Sequence, residues 1–539
     1  MNNSTLVLFD SQSGALSAKV EYSYGATIHL HSLVDPESEC AYFSDLTIWG
    51  DVLVLEGTGL GYHLVNALSV IRPEVSIVLL EYYNRCADIC IERIKELCGI
   101  TPIVITSTSQ NYEILLKNCI SSGRLVQIIK HPASYNANHT FYDSVLSSVN
   151  LKRPRSISQK TAALMNGNFF LQREINNAVI ESSDHCATFN YEDLRSIVEY
   201  ENTIQRCIQN EKPDMFISVN MLGFDGNGIF PEYCSRYGIP VAVWFVDDPR
   251  PVLLSQKRFI TADMTAFCWE RDYVEVLRNA GFTNVHFLPL AADPAFFSPD
   301  PKPKHPIISL AFAGTSMAGN FRTSLRNKFL WKKEIEPFVS KVAEALLESP
   351  STNIHSLIIQ FSSDSDISLP FHDERNRIWL QSYIIHTAGM IKRKRTIESL
   401  KNYSIELFGD KDGWTELLGN GYTIHPPVDY ATQLCNVYHS TTINLNITSC
   451  QMTTAVNQRV FDVPVSGNFL ITDFQKDIEE FFDSDEIVTY SSLEELHEKY
   501  TWYASSEESR TNVINKARAR ILQQHTYKNR YQTIREKML

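Results

Sequence analysis

The feature that most constrains this chain is a set of short apolar runs with no polar alternation. VLVLE (52–56), VSIVLL (75–80), MFISV (215–219), VAVWFV (241–246) and IISLAFA (307–313) are of this kind. A strand with one wet face alternates apolar and polar residues. A continuous run needs cover on both faces, which points to a parallel sheet sandwiched between helices. Amphipathic segments separate the runs, so the sequence predicts an α/β chain of doubly wound units.

The pattern recurs in three segments. The first covers about 1–150. The second begins near 161 and reaches about 300. The third begins at 301, and a helical tail follows, closing with a helix over 521–539. Two joints separate them: LKRPRSISQK (151–160), basic and polar, and FSPDPKPKHP (297–306), whose four prolines favour an extended connector. At roughly 150 residues per domain, 539 residues hold three or four.

Bulk properties narrow the function. The net charge of −13 disfavours general nucleic-acid or anionic-membrane partners. No apolar stretch reaches the length of a membrane span, and MNNSTLVLFDSQSG lacks the basic start of a signal peptide. Eleven scattered cysteines fit reduced thiols in a cytoplasmic protein. Cys86, Cys90 and Cys98 could suggest a metal; their spacing also fits one helix face, and no histidine is near enough in sequence to complete a tetrahedral set.

Near the start, VLVLEGTGLGYH (52–63) reads as strand, glycine turn and helix, and Glu81 ends the next strand. Gly57, Gly59 and Gly61 would let the backbone approach a ligand at a helix N-terminus, with Glu81 on a ribose. The alternative is that the glycines only permit close packing. The motif resembles that of Rossmann-like methyltransferases. It is closer, with IIKHPASYNANHTFYDSVL (128–146), to the non-catalytic Rossmann domain beside bacterial flagellin-modifying and spore-maturation glycosyltransferases. That resemblance implies a docking or regulatory domain; S-adenosylmethionine-dependent methyl transfer is the third-ranked function.

VAVWFVDDPR (241–250) runs straight into paired acids. Ligands of open α/β sheets sit beyond the carboxyl ends of the strands, so Asp247 and Asp248 fall where chemistry is expected. Adjacent residues in extended chain point opposite ways: one can face a substrate while the other caps the next segment. Asp247 is the preferred base. Further on, NQRVFDVPVSGNFLITD (457–473) reads as helix, glycine turn and strand. It is similar to the R-x-F-E-x-x-A-x-G-x-x-x-x-T-D region of CgeB-like glycosyltransferases of the GT-B class. WFVDDPR, ISLAFAGT (308–315) and IELFGD (405–410) with Trp414 add to the likeness, which covers about 161–531.

The resemblance implies a GT-B architecture, two facing Rossmann-like domains, preceded by the extra Rossmann-like domain. It implies residues 161–300 on the acceptor side and 301–520 on the donor side. Asp462, shorter than the family's Glu, takes the ribose position and Arg459 the diphosphate position. Gly314, Thr315, Arg322, Gly409, Trp414, Asn457 and Gly467 complete the donor-binding set, while Asn166, Asn168 and Asp225 lie on loops beside it. The expected activity is sugar transfer from a UDP- or GDP-sugar to a protein or glycan acceptor, flagellin or another surface component, without a required cofactor or metal. A non-catalytic module holding a nucleotide-sugar or glycan is the alternative. Arginines, a helix N-terminus and backbone amides can neutralise a leaving diphosphate unaided. The D-S-D tripeptides at 364–366 and 483–485 read as solvated loops.

Overall fold

The computed structural model describes residues 4–42, 44, 46–120, 124–148, 159–167, 171–299, 306–329, 335–349, 353–363 and 373–539. Asn168, most of the 151–160 joint, residues 300–305 and the 364–366 tripeptide lie outside them. The chain forms two compact units. One gathers residues 1–167, 187–216 and 227–240; the other gathers 168–186, 217–226 and 241–539. The second predicted segment therefore contributes to both.

The first unit holds a parallel sheet in the order Ile103–Ile105, Ser76–Leu80, Val52–Glu56, Val126–Lys130. Val52 to Leu55 are fully buried, as a strand covered on both faces requires. An antiparallel sheet precedes it: Ser4–Asp10, Leu16–Tyr22 and Thr27–His29. At the edge strand Val126–Lys130, two side chains of the helix Ile197–Glu211 satisfy the backbone. The Gln209 amide takes the N–H of Val126 and donates to its carbonyl, and Gln205 does the same for Ile128, at 2.7 and 2.8 Å. Cys86 and Cys90 are buried on the helix Asn84–Cys98, and burial pushes the Cys90 thiol up to about 12, so both act as small hydrophobes.

In the second unit, Val241–Phe245, Met264–Cys268 and Asn284–Phe287 lie side by side and parallel. A six-stranded parallel sheet follows in the order Thr423–His425, Glu406–Phe408, Ile308–Ala313, Thr441–Asn446, Leu470–Asp473, Val488–Tyr490. Its strand order reverses direction at Ile308–Ala313, the kind of switch point where α/β sheets hold ligands. The helix Glu374–Ser399 lies against this region, and Tyr527–Met538 closes the chain against the helix Gln172–Glu181. The expected α/β class with parallel sheets stands. Among the described residues no helix is long and apolar enough to cross a membrane.

Candidate functional site

Five segments of the second unit converge where Ile308–Ala313 ends. Gly314 follows that strand, and its amide donates to Phe408 at 2.8 Å. Its carbonyl accepts from Trp414 Nε1 at 3.0 Å. A Cβ on Gly314 would stand 3.0 Å from Arg459 Nη2 and 2.8 Å from the Phe312 ring. A Cβ on Gly409 would meet the Gly314 carbonyl oxygen at 2.2 Å. Gly314 leaves room for the Arg459 guanidinium, and Gly409 leaves room for the Gly314 backbone. Trp414 is fully buried and braces the turn from behind, and Asp410 holds the Ser316 amide and hydroxyl at 2.5 and 2.6 Å.

The 457–473 motif folds as its residues suggested. The helix Arg459–Val465 is followed by Gly467 at φ +75°, and then by the strand Leu470–Asp473. Asn457 accepts from the Arg459 amide at 2.9 Å and from its Nη1 at 3.2 Å, aiming the side chain at Gly314.

Beside Arg459 lies a residue the sequence did not single out. Arg393, from the helix Glu374–Ser399, donates to the Thr315 carbonyl at 2.5 Å and to its hydroxyl at 3.1 Å. The two guanidinium carbons stand 5.5 and 5.6 Å from the Phe312 ring centroid. Among the described residues neither arginine is ion-paired to a carboxylate: Asp410 is held by Ser316, and Asp473 by Lys392 and Thr448. Burial, together with its neighbour Arg459, lowers the Arg393 guanidinium to about 10. Two neighbouring guanidiniums of this kind can draw an anion toward them.

The paired acids take different roles. Asp248 is bound by Arg250 through Nε at 2.8 Å and Nη2 at 2.6 Å, and accepts the Arg250 amide at the start of the helix Arg250–Gln256. It is committed to Arg250 and the first turn of that helix, whose N-cap is Pro249. The exposed Asp247 carboxylate accepts from the Asn220 side-chain amide at 2.9 Å, with the Gln451 side chain beside it, and the Asp247 carbonyl accepts from Trp269 Nε1 at 3.3 Å. Its surroundings still desolvate it enough to raise its carboxyl. Asn220 and Met221 hold left-handed backbone (φ +51° and +56°), an uncommon conformation that Asn tolerates well and that often marks a site. His386, half-buried on the helix that bears Arg393, is lowered to about 4 by burial, so it is neutral near pH 7.

Other candidates sit elsewhere. Arg322 does not join the arginine pair: it engages Glu336 at 3.4 Å and Thr387 at 3.3 Å and lies over the Tyr383 ring. Asp462 is 1% exposed, sealed under Tyr430, whose hydroxyl donates to it at 3.1 Å. Burial raises the Asp462 carboxyl well above the usual range, and Glu174 nearby is pushed up to about 8 by the same cause. A ribose contact would require Tyr430 to give way. Asn166 bonds Asn190 in the first unit, and Asp225 is buried in its loop.

The glycine turn of the first unit is filled by the chain itself. Glu81 is fully buried and accepts from the Thr58 and Gly59 amides at 2.8 and 3.0 Å, the bonds a cofactor would compete for. A Cβ on Gly59 would lie 2.2 Å from His31 Nε2, and one on Gly57 2.6 Å from Ser134 Cβ. Gly61, also left-handed, packs on Cys90. These glycines serve close packing.

His31, Glu39 and His131 gather here within 4.8 Å, the kind of set that can hold a cation. The Leu60 amide donates to His31 Nε2 at 2.7 Å, so the ring proton sits on Nδ1 and points at Glu39, 2.8 Å away. With Nε2 taken by the Leu60 amide and Nδ1 turned to Glu39, His31 offers no free lone pair to a metal.

His63 stacks on His131 at 4.7 Å, and burial lowers both imidazoles below their ordinary value. Their unfolded forms take up protons first, so the stability they permit is complete above about pH 6.5 and is lost as pH falls below it. Burial works to raise Glu39, but bonds from His131 and His31 carry it down to about 2, so its contribution is lost in a lower window. Thermal melts should show the midpoint falling between about pH 7 and 5.5, less steeply in His63→Gln.

Residues 392–536 match the family model described as glycosyl transferase-like. The matched stretch includes Arg393, Arg459 and the 457–473 motif. Similar solved structures include sucrose-phosphate synthase from Thermosynechococcus elongatus, at 8% identity and TM-score 0.41, covering 70% of this chain and 98% of that one. T4 phage BGT in complex with its UDP-glucose substrate is similar at 9% identity and TM-score 0.40, covering 70% and 99%. Likenesses this distant carry no substrate or residue role. No curated protein matches the chain.

Proposed function

We propose that this chain is a GT-B glycosyltransferase of the cytoplasm. It moves a sugar from a nucleoside-diphosphate donor, UDP- or GDP-linked, to a protein or surface-glycan acceptor. The observation that carries this reading is the pair Arg393 and Arg459 at the Gly314 turn, neither of them ion-paired to a carboxylate among the described residues. A departing diphosphate gains negative charge as the glycosidic bond breaks, and fixed guanidiniums in a desolvated site stabilise that charge. Asp247 is the base that takes the acceptor's proton, its raised carboxyl suiting the task. The CgeB-like subtype rests on the sequence resemblance. The filled glycine turn favours a docking role for the first unit over methyl transfer.

A thermal-shift screen with UDP, GDP, CMP and TDP sugars tests the reading. One donor class should raise the midpoint by mass action and release its sugar with acceptor present. No shift with any of them would remove it.

A further inference from the structure

The segment 448–457, between the strand Thr441–Asn446 and the helix Arg459–Val465, touches both halves of the proposed chemistry. At one end the Gln451 side chain lies beside the Asp247 carboxylate and works to lower it. At the other Asn457 holds Arg459. Between them three successive amides, of Thr453, Thr454 and Ala455, point at one oxygen. It is Oε2 of Glu270, at 2.8, 2.9 and 3.0 Å. The Thr454 hydroxyl donates to Oε1 at 2.9 Å, and the Asp272 amide to the same atom at 3.3 Å. Glu270 is fully buried.

Tyr273, one turn on, donates its hydroxyl to the Gln451 carbonyl at 3.1 Å. The Thr454 carbonyl accepts from the Asp477 amide at 3.0 Å, and Arg271 reaches Asp477 at 3.5 Å. Residues 270–273 thus grip the middle of the segment, and its two ends carry the site.

We propose that Glu270 is a positioning residue for both the anion site and the base. Hydrogen bonds to an ionised carboxylate are about twice as strong as neutral ones. Three converging amides fix the path of the segment, which sets the reach of Gln451 and of Asn457 together. The proposal rests on the functional reading above for what the site does, but one of its tests does not. A donor bond to a carboxylate favours its charged form. Loss of the Gln451 contact must therefore raise the Asp247 carboxyl further.

The test uses the full chain as Glu270→Gln and Tyr273→Phe, with Asp247 followed by carbon-13 NMR of labelled aspartate and assigned with Asp247→Asn. Glu270→Gln keeps the shape but removes the charge. Its Asp247 titration should move to higher pH, and its affinity for UDP and for inorganic pyrophosphate should fall about tenfold. Tyr273→Phe, which loses one hydroxyl, should move the titration in the same direction and less far while keeping the wild-type melting midpoint. It carries the test if Glu270→Gln does not fold. An Asp247 titration unchanged in the folded variants overturns the proposal, whether or not UDP binds. Wild-type chain that binds neither UDP nor pyrophosphate, with the titration shifted as expected, sinks the functional reading and leaves the positioning role standing.

Discussion

Replacing Arg459 with alanine should weaken donor binding and transfer by about 10²–10³-fold, the range found when one preorganised donor to a developing anion is removed. The direction of the stability change separates this role from a packing role. Arg459 is close to Arg393 and raises the cost of charging it. Its removal relieves that repulsion, so the ligand-free melting midpoint should hold or rise. The midpoint gain on adding donor should disappear. Calorimetry with UDP and melts with and without it provide both readings. A lowered ligand-free midpoint with intact UDP affinity would show that Arg459 is a structural residue and would remove the anion site.

Asp247→Asn should lower transfer by about 10²–10⁴-fold, the usual contribution of a general base. Donor affinity should stay near that of the wild type, because Asp247 is outside the arginine pair. The variant keeps the shape, and its amide oxygen can still accept from Asn220. Wild-type activity needs the ionised form. The raised carboxyl places its acidic limb above that of an ordinary aspartate, with activity lost as pH falls through it. Steady-state rates against pH in both proteins check this. Equal rates would leave Asp247 without a catalytic part.

Much of this could be read from the chain, and the exceptions have physical causes. The runs at 52–56, 241–246 and 308–313 declared parallel strands because burial on both faces leaves no other pattern. The helix–turn–strand of 457–473 was legible because Gly467 supplies the left-handed turn. Arg393 was hidden in the basic run KRKR (392–395), which reads as a solvated face. Only the phase of a long helix, set by its neighbours, turns 393 inward and leaves Lys394 and Arg395 to surface glutamates.

The fate of Asp462 depended on Tyr430, thirty-two residues earlier, a contact with no local signal. Arg250 sits two residues beyond Asp248, so its claim on that acid was visible in DDPR. The opening antiparallel strands were missed, although LSAKVEY alternates as a one-sided strand does. The filled glycine turn was not legible, because His31 reaches it from outside the motif.

Gln205 and Gln209 are four positions apart on a helix, and the residues they serve, Ile128 and Val126, are two apart on a strand. Four helical steps advance about 6.0 Å and two strand steps about 6.6 Å, so the two rulers nearly agree. A primary amide carries the same donor and acceptor as a peptide group, which lets a helix complete what another strand would have supplied. The sheet is thereby finished on that side. A stray extended segment finds the hydrogen-bonding groups of Val126 and Ile128 already taken, and growth by strand addition is halted there.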